Sequence, residues 1–91
     1  MWETTDPEGV RVLLTGSTWR HIVHRHPELE RSRAAILGAV RFPETTRSGH
    51  ARNEEWFYGR SAGPTRWVRV VVHYHDDRDL ITTAIPRTEV P

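Results

Sequence analysis

Apolar and polar positions change period once along the chain. VRVLLT at residues 10–15 is a short β-type run, and Gly16 with Ser17 or Thr18 then offers a turn and a helix N-cap. A first helix is expected over residues 19–25. His26 precedes Pro27, which disfavours the α region at His26, while Pro27 suits the first position of a second helix with Glu28 in its first turn. Leu29, Ile36 and Val40 share one face of that helix, flanked by Leu37 and Arg33, and Pro43 ends it. Beyond Pro43 the period falls to two. TTRSGHAR is a weak strand, EEWFYGR a better one, TRWVRVVVHYH the strongest and LITTAIP the last, with SAGPT and DDRD as turns. This order predicts an α+β fold: a short N-terminal strand and two helices packed on a roughly four-stranded antiparallel sheet.

With 91 residues, just over a third of them apolar, the chain suits a single domain over residues 1–91, its core spanning about 10–86, with RTEVP fraying at the end. No internal repeat or linker interrupts it. No stretch approaches the ~18 apolar residues of a membrane span, so no membrane partner is expected. MWETTDPEGV lacks the basic and apolar regions of a signal peptide, and cytoplasm is the default location. The absence of cysteine removes disulfides, thiolate zinc sites and cysteine nucleophiles.

A net charge of +1 conceals an uneven distribution. Residues 31–69 hold eight Arg against three acids, whereas both flanking segments are acidic. All thirteen basic residues are Arg, the side chain whose fork matches phosphate, although a GC-rich genome gives the same bias.

The densest titratable chemistry lies in TWRHIVHRHPEL, residues 18–29. At ~100° per residue, Trp19, Ile22, Val23 and His26 fall on one stripe of the first helix, with Arg20, His21, His24 and Arg25 opposite. His26 therefore reads as a core imidazole. His21 and Arg25 form an i, i+4 pair, either a solvated face or an imidazole poised beside a permanent cation for proton transfer next to phosphate. Zinc needs more than the pairs His21/His24 or His73/His75 offer, and no HExxH is present, so neither metal nor cofactor is expected. In the strongest strand Val68, Val70, Val72 and Tyr74 face the core, while Trp67, Arg69, Val71, His73 and His75 face away. That second set suits a solvent face or a nucleic-acid groove, which Tyr58 and Arg60 would extend. Arg47, Arg52, Arg60, Tyr58 and His73 are thus the candidate substrate-binding residues.

The segment WRHIVHRHPEL, a helix running into Phe42, Pro43 and Glu44, a basic strand, the aromatic WFY strand, VRVVVHY and a closing ITTA together resemble the barnase–EndoU–colicin–RelE-like nuclease domains, in their phage-type subgroup. The most specific element is Trp19, His21, Ile22, Arg25, His26, Pro27 and Glu28, and Thr83-Ala84 matches the closing Thr-Ala. The resemblance implies a metal-independent endoribonuclease without a cofactor, toxin-like or mobile-element associated, with RNA as substrate and an antitoxin or immunity protein as partner. It points to His21, Arg25, His26 and Thr83 as catalytic. Cleavage by the ribose 2′-hydroxyl needs a base, an acid and cations around phosphorus. His21 or His26 would be base or acid, Arg25 would stabilise charge, Thr83 would bind phosphate, and Tyr74, His73 or His75 would supply the second proton-transfer group. The competing expectation is a non-catalytic RNA- or protein-binding module, or a regulatory partner, on the same fold.

Overall fold

A computed structural model describes residues 1–61 and 65–91 of the chain. The expected turn SAGPT lies largely outside the described residues. Six strands and two helices follow in the order β1 (Trp2–Thr5), β2 (Arg11–Leu14), α1 (Gly16–Arg25), α2 (Arg33–Arg41), β3 (Thr45–Ser48), β4 (Glu54–Arg60), β5 (Trp67–Tyr74) and β6 (Asp79–Arg87). The α+β class holds, but the sheet is larger than four strands and is not wholly antiparallel. Its order is β1-β2-β6-β5-β4-β3. β6 runs antiparallel to β5 and parallel to β2, with Val12 opposite Asp79 and Leu13 opposite Leu80.

The additional N-terminal strand comes from WETT, which forms a hairpin with β2 from Trp2 opposite Leu14 to Thr5 opposite Arg11. Asp6 organises its turn. One carboxylate oxygen accepts from the backbone N–H groups of Glu8 and Val10, each at 2.9 Å, while Gly9 adopts the left-handed φ of 84°. Several ties hold β1 to the helices, among them a hydrogen bond of 2.6 Å from the Arg41 guanidinium to the Thr5 hydroxyl. Thr4 donates its hydroxyl to the Leu37 carbonyl at 3.0 Å, Trp2 meets Trp19 edge-on at 6.3 Å, and the Arg33 guanidinium stacks 4.3 Å from the Trp2 ring centre.

α1 starts one turn earlier than expected because Thr15, rather than Ser17 or Thr18, is the N-cap, accepting from the Thr18 N–H at 3.2 Å. It ends at His26, whose φ of −137° leaves the α region just before Pro27. Instead of opening a continuous second helix, Pro27–Leu29 form a 3-10 turn, and α2 begins after Ser32. Ile22 from α1, Leu29 from the turn, and Ile36 and Val40 from α2 are fully buried against Val68, Val70 and Val72 of β5 and Phe57 of β4. α2 lies so close to β4 that a Cβ at Gly59 would stand 2.6 Å from the Ala39 methyl. Only glycine fits there.

Both helices cover one face of the sheet. The opposite face carries the alternate residues of β4 and β5, so Tyr58 and Val71, although buried, lie outside the main core cluster. A β-bulge lies where β6 faces Val71 and Val72, since Val71 pairs with Thr83 while Val72 pairs with Ile81. The extra residue brings both Ile81 and Ala84 into the core. It also sets Thr83 beside Val71 on the far face.

Candidate functional site

The helix motif and the closing threonine do not meet. Ile22 turns toward the sheet, while His21, His24 and Arg25 are exposed on the outer side of α1. Thr83 looks out from the other face of the sheet, so the sheet itself stands between Thr83 and the His21/Arg25 pair. His26 is half-buried at the helix end. Its backbone N–H donates to the Ile22 carbonyl at 2.8 Å, and among the described residues its ring has no hydrogen-bond partner.

Tyr74 lies on the helix-covered face with the core valines, as its alternation implies. Its hydroxyl donates to the second carboxylate oxygen of Asp6 at 2.8 Å. Burial, then this hydrogen bond and the charges of Asp6, Glu55 and Asp79, push the phenol far above its ordinary pKa. Tyr74 therefore keeps its proton at any neutral pH and serves as a tether. Around it, Asp6, Glu8 and Glu55 make an acidic cleft with Phe57 and Thr46. Burial, with the neighbouring charge of Glu8, raises the pKa of Glu55.

The far face brings a different set together. The β4–β5 register puts Glu54 opposite His73, Trp56 opposite Val71 and Tyr58 opposite Arg69. Glu54 Oε1 lies 2.8 Å from His73 Nε2, while its Oε2 accepts from the Trp56 indole N–H at 2.7 Å and from the His50 backbone N–H at 3.1 Å. Burial opposes ionisation of this carboxyl, but the hydrogen bonds from His73, Trp56 and His50 and the His73 charge prevail and hold it below its ordinary range. An ionised Glu54 only accepts, so His73 Nε2 carries the proton and Nδ1 holds the lone pair of the neutral ring. The His75 ring centre is 5.9 Å from that of His73. His75 is exposed, and its ring has no hydrogen bond among the described residues.

From this histidine end a continuous strip runs across the face. Beyond Glu54 the Trp56 ring meets His50 edge-on at 4.9 Å and carries the Arg69 guanidinium 4.1 Å from its centre. Arg69 Nε donates to the Tyr58 hydroxyl at 2.9 Å. Tyr58 is only 1% exposed, so its ring presents no surface to a stacking base and instead orients Arg69. Arg47 from β3 and Arg87 from β6 join Arg69 around a cavity of about 380 Å³. Arg60 lies on the same face with its guanidinium 5.0 Å from the Trp67 ring centre, whereas Arg52 is exposed in the loop between β3 and β4.

Of the expected substrate-binding set, Arg47, Tyr58, Arg60 and His73 therefore share one face. Glu54 was not among the expected residues. Its signal was its place two before Trp56 and four before Tyr58, on the same side of a strand; what remained hidden was the register that sets it opposite His73. No family model, no curated protein and no solved structure matches this chain.

Proposed function

We propose that the open face of the sheet binds single-stranded RNA and cleaves it with His73 as general base and His75 as general acid. The observation that carries this reading is the imidazole pair itself, one ring held by an ionised carboxylate and the other free at 5.9 Å. In the proposed step His73 Nδ1 takes the proton of a ribose 2′-hydroxyl, whose oxygen attacks the adjacent phosphorus. The bond to the 5′-oxygen breaks as a protonated His75 donates its proton to that oxygen. A 2′,3′-cyclic phosphate and a 5′-hydroxyl remain, and all atoms are accounted for. Glu54 fixes the His73 tautomer and favours the imidazolium that forms, and the arginine strip attracts the neighbouring phosphates.

This reading keeps the nuclease class that the sequence resemblance implies, with RelE/barnase-like architecture, and moves the chemistry from the first helix to the sheet. On the same reading the protein acts in the cytoplasm on RNA, as a toxin-like or mobile-element nuclease. A cognate antitoxin or immunity protein would then present carboxylates to this basic strip.

The test is incubation with a labelled oligoribonucleotide in excess chelator, with products identified by mass. Cleavage to a 2′,3′-cyclic phosphate, abolished by His73→Ala and retained by His21→Ala, is expected. RNA binding without cleavage by the unmodified protein would instead favour the non-catalytic RNA-binding module, and cleavage undiminished in a His73→Ala/His75→Ala double variant would overturn the assignment.

A further inference from the structure

At the end of the strip away from the histidines, Arg47, Arg69 and Arg87 converge on one cavity with no compensating ion pair. Among the described residues the ion pairs are Arg11 with Glu3 and His73 with Glu54, and neither involves these three arginines. Arg69 is already oriented, its Nε on the Tyr58 hydroxyl and its plane over Trp56, and among the described residues its two terminal nitrogens have no hydrogen-bond partner. Arg47 and Arg87 are exposed and come from strands on either side of the β4–β5 pair. Glu89, in the segment that follows β6 and forms one wall, supplies the one side-chain carboxylate among the described residues lining the cavity. Three guanidiniums lining one cavity without an ionic partner repel one another, and an anion between them relieves that repulsion.

Charge selects the anion. Three arginines against one side-chain carboxylate leave the lining cationic, and a phosphate monoester of about −2 gains more from it than the single charge of an internal phosphodiester. Position separates this cavity from the acid–base pair, because the four residue steps of β5 from Arg69 to His73 span ~13 Å. We infer that the Arg47–Arg69–Arg87 cavity is a site for the terminal phosphate monoester of an oligonucleotide. The ligand rests on the reading of this face as an RNA surface, but the site is separable from cleavage.

The test uses one oligonucleotide sequence, made 2′-O-methyl throughout so that it is not cleaved, with a 5′-monophosphate, a 3′-monophosphate or hydroxyls at both ends. Binding is followed by fluorescence anisotropy of an internal label. At least a ten-fold tighter complex with one of the two monophosphates is expected, and which one identifies the end. Arg47→Ala with Arg87→Ala should remove that preference, whereas a merely general loss of positive charge would weaken all three ligands alike and preserve it. Equal affinities for all three ends, or a preference that survives in the double variant, would overturn the inference. A preference that depends on the arginines, in a protein that cleaves no RNA, would sustain this site and remove the nuclease reading.

Discussion

Tyr74 and Asp6, 68 residues apart in the chain, are joined by a hydrogen bond of 2.8 Å that ties the end of β5 to the turn between β1 and β2. The same Asp6 carboxylate holds two backbone N–H groups of that turn, so one side chain fixes both the hairpin and its docking. Replacing Tyr74 by Phe removes the tether and keeps the ring. A hydrogen bond to a charged group contributes about 1.5 to 3 kcal/mol, and the half-buried position puts the expected loss near the lower end. Chemical denaturation should show that loss while RNA cleavage survives; loss of cleavage with unchanged stability would return Tyr74 to the proton-transfer groups.

The raised phenol pKa gives this tether a pH dependence of definite sign. The folded protein keeps a proton that the unfolded chain releases near pH ~10, so the contribution is complete below that pH and disappears as alkalinity rises through the folded value. Between pH 9 and pH 11 the unmodified protein should therefore lose more stability than Tyr74→Phe. Equal losses in parallel unfolding series would mean that the tether is absent in solution.

Glu54 titrates in the opposite sense. Its carboxyl is held below the ordinary value of about 4.3, so its contribution is complete above that pH and is lost as acid protonates the folded protein. The stability advantage of the unmodified protein over Glu54→Gln should shrink as pH falls below ~4. His73→Ala should abolish much of the same acid dependence by removing one of the three donors, whereas an unchanged dependence in His73→Ala would argue against the pair.

At Gly59 the backbone of β4 meets Ala39 of α2 without space for a methyl group. Gly59→Ala should destabilise by about 1 to 3 kcal/mol through overpacking. Adding Ala39→Gly should recover part of this in a double-mutant comparison, and additive losses would contradict the contact.

RNA binding should weaken with salt. A single strand releases ~0.7 counterion per neutralised phosphate, so removing two phosphate contacts with Arg47→Ala and Arg52→Ala should flatten the slope of log affinity against log salt by about 1.4. If only Arg47 touches the strand, the change is about half that, which a salt series with each single variant resolves. A slope near zero for the unmodified protein would count against the nucleic-acid surface.

Alternation made much of the sheet legible. Val68, Val70, Val72 and Tyr74 fall on the covered face as their spacing implies, and β4 has the bounds that EEWFYGR suggests. WETT was not legible as a strand because a single tryptophan among polar residues shows no period, and its pairing depends on β2 and on ties to both helices. Likewise, nothing local announces a bulge, yet the one in β6 decides that Ile81 and Ala84 both enter the core and that Thr83 faces away. That the helix motif does not meet Thr83 was hidden for a related reason. Its polar stripe was read correctly as polar, but which groups a solvent-facing stripe meets depends on how layers stack, and α1 presents His21 and Arg25 away from the sheet.

The parallel pairing of β2 with β6 also makes one late strand the seam of the whole sheet. β3, β4 and β5 are neighbours in sequence and in the sheet, so this meander forms from local hairpins with short loops to close. The β1–β2 hairpin is equally local, yet within the sheet it pairs with the other strands only through β6, which follows all of them in the chain. Until β6 is added the two halves of the sheet share no ladder of hydrogen bonds, and the strands that carry the histidine pair and its Glu54 partner precede in the chain the Arg87 that completes the arginine cavity.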